Sequence, residues 1–185
     1  QVSVPANWYY DNNFRFFFVP NGSATDHPTI TGLYLGLIWK IAGRSLTVSH
    51  FAFLPFIFGI FVHLFRFIEK SGEKNLFLWL IFILAVCDPT LVSQMSLPTF
   101  DIIQIFAFLW SINCILERKK VQLGIAFSIL CLTSLRGIIC GGGLLLYSLI
   151  INYLDSNKIT FRKFIPFIPG IIVPVIFYLL FYISR

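Results

Sequence analysis

The sequence predicts an all-α, polytopic membrane protein, and three observations carry that expectation. First, 57% of the 185 residues are hydrophobic and only 12% are charged, with a mean hydropathy of +0.83. A water-facing domain averages about 25% charged residues, so a soluble enzyme is excluded. Second, apolar stretches such as FAFLPFIFGIF run unbroken instead of alternating, which argues against a membrane β-barrel. Third, the net charge of +6 is spread in small basic groups between the apolar runs. Such groups anchor helix ends and set orientation; they form no basic stripe, so no nucleic-acid partner is expected.

The chain opens on Gln1, and Met95 is its only methionine. It reads as a processed form or a fragment, with a membrane helix expected upstream. Residues 1–28 show no signal-peptide pattern and hold too many polar groups and turn-formers to span. Residues 28–43 are apolar but short of the roughly 20 residues that a spanning helix needs. With Tyr34, Trp39 and Lys40 among them, they suit a helix in the headgroup layer, opened by Pro28 and closed by Gly43. Residues 1–45 therefore read as an extracytoplasmic loop carrying an interfacial helix.

Residues 46–185 read as a transmembrane helical bundle of about six crossings. Runs at 50–68, 101–116 and 164–183 each supply one, and a fourth starts at 75 and continues through Cys87 and Asp88 towards Gln94. Pro166, Pro169 and Pro174 are expected to kink the last. Residues 121–154 are too many for one crossing and few for two. Near their middle, Ser134, Leu135, Arg136, Gly137 and the run Gly141-Gly142-Gly143 mark where a hairpin would turn or a helix would break. Two crossings put Arg66/Lys70/Lys74, Arg118/Lys119/Lys120 and Lys158/Arg162/Lys163 all on the cytoplasmic side, as the positive-inside rule prefers. Residues 1–45, the 88–100 loop and the Arg136 turn then share the opposite face.

The four cysteines lie within or beside apolar segments without ligand-like spacing and read as small lipid-compatible residues. Glu69, Glu73, Glu117 and Asp155 fall among the basic clusters and read as solvated. Asp11, Asp26, Asp88 and Asp101 fall on the other face together with Arg136. Taken singly, each is a helix-end residue reaching for headgroups. Taken together, they form a place where an anion and a proton acceptor could meet. Asp26-His27-Pro28 is the densest feature. It reads either as a general base or metal corner, or as a helix cap beside a bystander histidine. His50 and His63 read as hydrogen-bonded packing residues.

These residues carry a family resemblance. The run ATDHPTITGLYLGLIWKIAGRSLTVSHFAFLPF resembles the first extracytoplasmic loop and following helix of GT-C glycosyltransferases. It is most similar to the protein O-mannosyltransferase family (glycosyltransferase family 39) and its bacterial relatives, in which an Asp-x-His-Pro-Pro-like motif precedes an amphipathic helix. Here Asp26, His27 and Pro28 are contiguous, one residue tighter, and Thr29 stands for the second proline. CDPTLVSQMSLPTFD resembles the family's loop into a helix that starts with Asp, here Asp101, and TSLRGIICGG resembles the later basic-glycine segment, here Arg136 and Gly137. The family's paired acids early in the loop have no clear match, with Asp11 in WYYDNN standing as a candidate counterpart.

The resemblance implies an inverting transfer of a sugar from a polyprenyl-phosphate donor to a protein, lipid or glycan acceptor. The site would face the extracytoplasmic side of a multi-pass protein, in bacteria that of the cytoplasmic membrane. Asp26, or Asp11, would be the catalytic base; His27, Asp88, Asp101 and Arg136 would bind substrate. No metal ligands are assigned, and a divalent cation is left open as a cofactor. Two other functions compete: a transporter or flippase for a lipid-linked sugar, and a non-catalytic membrane subunit.

Overall fold

The computed structural model describes residues 2–15, 19–20, 29–70, 76–156 and 164–183, and every regular element among them is helical. The polar N-terminal stretch, expected as loop, contains a helix, α1 (Ser3–Asp11). Packing makes it. Its buried Pro5, Ala6 and Tyr9 lie against Gly32 and Gly36 of α2 (Ile30–Ala42). A Cβ on Gly32 would fall 2.6 Å from Pro5 Cγ, and one on Gly36 3.2 Å from the Ala6 carbonyl oxygen. Glycines four apart give α2 a smooth face on which a second backbone can lie. The buried Tyr9 and Thr29 hydroxyls, 2.8 Å apart, tie the start of α2 to α1.

The α1–α2 pair rests on the start of α3 (Leu46–Lys70). Tyr34 Oη donates to the Ala52 carbonyl at 2.7 Å, and Trp39 Nε1 donates to Ser49 Oγ at 2.9 Å. Next come α4 (Leu76–Val86) and α5 (Pro89–Met95), bent by 48° across Cys87 and Asp88. The fourth expected run is therefore two helices. Asp88 explains the break: its Oδ1 accepts from the Leu91 N–H at 2.9 Å, and Pro89 opens the new helix. Helix α4 is apolar on every side and buries none of its side chains, the pattern of a helix surrounded by an apolar medium.

Helix α6 (Phe100–Leu116) runs parallel to α3. Gly59 meets Phe106, His63 meets Asn113, and Lys70 meets Glu117 in the same order along both chains. His63 is buried and packs against the Phe106 and Trp110 rings. Asn113 Nδ2 donates to the His63 carbonyl at 2.8 Å and the Leu109 carbonyl at 3.1 Å. At the far end Glu117 takes Lys119, at 2.6 Å, and Lys70, and these two hydrogen-bonded ammonium groups hold its carboxyl down to about 2. A depressed carboxyl contributes stability above its unfolded pKa of about 4.3 and loses it as pH falls through the folded value. Glu117→Gln should therefore melt slightly lower than the parent at pH 6, and the difference should vanish towards pH 2. Melting curves across that window check it.

Helix α7 (Lys120–Thr133) returns along α6, and α8 (Leu135–Ser156) returns along α7. The turn between them is the single extended residue Ser134, whose Oγ accepts from the Gly137 N–H at 3.1 Å and donates to Gln104 Oε1 at 2.7 Å. The chain thus turns just before Arg136, and Gly141-Gly142-Gly143 lie inside an unbroken helix. Small residues suit that helix because α7 presses on it: a Cβ on Gly137 would fall 2.1 Å from the Leu130 carbonyl oxygen. Gly137→Ala should cost about 1–3 kcal/mol. Gly142→Ala, with no atom within 4 Å of the added carbon, should cost nothing. Denaturation in micelles separates the two.

A 3₁₀ turn, Ile165–Phe167, leads into α9 (Ile168–Ile183), which runs parallel to α7 with Gly170 against Phe127. One core joins α1, α2, α3 and α6, and a second joins α6, α7, α8 and the Phe167 turn. Two helices, α3 and the Leu135–Leu154 part of α8, are long and apolar enough to cross a membrane; the bent α4–α5 pair makes a third if it is one span. Helices α2, α6, α7 and the Ile165–Leu180 stretch are apolar but shorter.

Candidate functional site

The helix directions give the bundle two polar ends. One carries Arg66, Glu69, Lys70 and the Glu117–Lys120 turn. The other carries α1, α2, the starts of α6 and α8, and most of the residues singled out in the sequence. Asp101 lies in the first turn of α6, half-buried, where the positive end of the helix dipole favours a carboxylate. One turn along, Gln104 receives the Ser134 hydroxyl, so the α6 and α8 starts are tied together. Arg136, exposed, follows two residues after that tie. Asp88 is exposed and used as the cap of α5.

Asp11 ends α1, and its Oδ1 lies 3.4 Å from Arg44 Nη1, both side chains being about half exposed. The Arg44 guanidinium sits over the Trp39 and Tyr10 rings, 5.6 and 6.0 Å from their centres. Lys40 donates to Asn13 Oδ1 and lies 5.8 Å above Tyr10. Cation–aromatic contact thus gathers two cations around the Tyr10 ring, and one of them, Arg44, is paired with Asp11. Arg44 and Lys40 were not among the sequence candidates. Their partners stand 33 and 27 residues away, and no local pattern signals such a pairing. Asp26 and His27 lie outside the described residues. The nearest described anchor to them in sequence is Thr29, held by Tyr9.

Beside the Arg136 end opens an apolar groove of about 510 Å³ between α7, α8 and α9. Leu135 and Ile138 line its upper part, flanking Arg136 in sequence, and Phe127, Gly142, Gly170 and Pro174 continue it down the bundle. An apolar trough whose lining residue Leu135 is followed in sequence by a cation, at a polar end of the bundle, suits a molecule with an anionic head and a long hydrocarbon tail. Among the described residues no three His, Cys, Asp or Glu side chains converge on a metal-sized site. No family model matches this chain, and neither a curated protein nor a solved structure is found similar to it.

Proposed function

We propose that the chain belongs to a polytopic membrane glycosyltransferase that moves a sugar from a polyprenyl-phosphate donor to an acceptor on the extracytoplasmic face. One observation carries the reading: Leu135, the sequence neighbour of Arg136, lines an apolar groove at the same end of the bundle as Asp11 and Asp101. The donor's tail would lie in the groove and its phosphate at Arg136. The acceptor hydroxyl oxygen attacks the anomeric carbon, and the bond from that carbon to the phosphate oxygen breaks. Asp26 takes the hydroxyl proton, and the lipid phosphate leaves with its charge held by Arg136.

The test is transfer itself. Full-length protein in proteoliposomes, given a radiolabelled polyprenyl-phosphate sugar and an acceptor, should release polyprenyl phosphate in step with acceptor labelling. Donor that crosses the bilayer with its sugar still attached would instead support a lipid-linked sugar transporter. That second reading draws on the 48° break at Cys87 and Asp88, because interrupted helices bearing polar groups recur in transporters. Orientation is checked separately. In a cysteine-free background, a cysteine at Asn21 should react with an impermeant thiol reagent in intact cells, and one at Lys119 should not. The reverse pattern would move the site to the cytoplasmic face.

A further inference from the structure

At the basic end of the bundle, away from the proposed transfer site, an open crevice of about 360 Å³ lies between α3 and α4. Phe61, Val62 and Phe65 of α3 and Phe82 of α4 form its apolar part, and Arg66 and Glu69 of α3 complete the lining. The α3 positions are spaced three and four apart, so one face of the helix presents them together. Phe65 also meets Trp79 and Phe82, with ring centres 5.6 and 6.5 Å apart, and Trp79 meets Phe82 at 6.0 Å. Three rings thus hold the two helices together at the crevice. Trp79 lies in the first turn of α4, and tryptophans gather at the membrane–water boundary.

Along α3 the crevice passes from hydrocarbon-like walls to a cation and then to an acid, which lies outermost. Arg66 and Glu69 are both exposed, and neither is held by an ion pair or hydrogen bond among the described residues. The acid nearby on α6 differs, because Glu117 is taken by Lys70 and Lys119. Three residues of helix set Arg66 and Glu69 about 4.5 Å apart along the axis. A phosphodiester joined to an ammonium through a two-carbon spacer carries its charges over a similar distance, in the same order outward from its acyl chains. An anionic headgroup without the ammonium would leave the Glu69 carboxylate facing like charge. A trimethylated ammonium would bring no N–H to donate to it.

We propose that the α3–α4 crevice binds an ethanolamine phospholipid, its phosphate on Arg66, its ammonium on Glu69 and an acyl chain against Phe61, Phe65 and Phe82. The site rests on the membrane reading of the chain and stands whether or not the opposite end transfers sugar.

The experiment is native mass spectrometry of the full-length protein in detergent, titrated with phosphatidylethanolamine against phosphatidylcholine of the same acyl chains. The two lipids carry the same net charge, so general surface charge does not separate them. The parent should favour phosphatidylethanolamine. Glu69→Gln should lower that preference about two- to fivefold, the range of an exposed ion pair. Arg66→Gln should weaken both lipids about fivefold and leave their ratio unchanged, because it removes only the phosphate contact. Both side chains are exposed, so both variants should fold. Equal binding of the two lipids by the parent, or an unchanged preference in Glu69→Gln, would overturn the site. A dimer that forms at the expense of lipid adducts would assign the crevice to a second copy of the chain and likewise overturn it. Absence of every phospholipid adduct would overturn the membrane reading as well.

Discussion

Asp26→Asn should lower sugar transfer by about 10²–10⁴-fold, the usual loss on removing a positioned general base. Asparagine keeps the size of the side chain and much of its capping capacity but does not accept the hydroxyl proton as a carboxylate does. Donor binding and thermal stability should therefore stay near the parent's. A helix cap alone behaves differently. Its loss, as in Asp26→Ala, costs about 1 kcal/mol of stability, and transfer by the Asn variant would continue. Asp11→Asn belongs in the same set of assays. Asp11 is paired with Arg44 on an exposed surface, and exposed pairs contribute only about 0–1 kcal/mol. Its substitution should leave both stability and rate close to normal. A collapse of rate in Asp11→Asn, with Asp26→Asn active, would move the base to the end of α1.

Arg136→Ala should reduce transfer about 10²–10³-fold, as expected when one group stabilising a departing charge is removed. Arg136→Lys should fall less, because it keeps the charge but loses the two-pronged fit to phosphate. The side chain is exposed at the first turn of α8, so neither change disturbs packing and both proteins should fold. Normal transfer by a folded Arg136→Ala protein would leave the residue as an interfacial anchor. The rate should be measured at saturating and at limiting donor. Loss confined to limiting donor would mean that Arg136 binds the phosphate equally before and during reaction.

Apolar runs made most of the bundle legible. Helices α3, α6 and α9 fall where unbroken hydrophobic stretches fall, and α2 occupies the short apolar segment expected at an interface. The turn within 121–154 was legible only in outline. The glycine run looks like a breaker, yet glycine inside an apolar helix is favoured where a neighbour presses close, as Cys131 and Phe127 do on Gly141. The actual signal was Ser134, a capping residue three positions before Gly137. Helix α1 was hidden because SVPANWYYD has no apolar stripe of its own; its partner supplies the order through Gly32 and Gly36. The sequence did bring Asp11, Asp101 and Arg136 to one face. It could not reveal that Arg44 joins Asp11 and Lys40 joins Asn13, because those pairings depend on how α1 folds back across α2.

The Asn113 amide that reaches the His63 carbonyl has a mechanical consequence. An amide between two helices finds its interhelical partner at one axial position, so sliding α6 past α3 by a single residue would break the bond to His63 and leave only the one to Leu109 within α6. The α1–α2 platform is fastened at one end of this helix pair and the Lys70–Glu117 tie at the other. The separation between the two polar ends is therefore a fixed length, set like the rungs of a ladder. Set in a thinner or thicker bilayer, such a pair would answer by tilting as a unit or by deforming the lipid around it, and its two ends would keep their spacing.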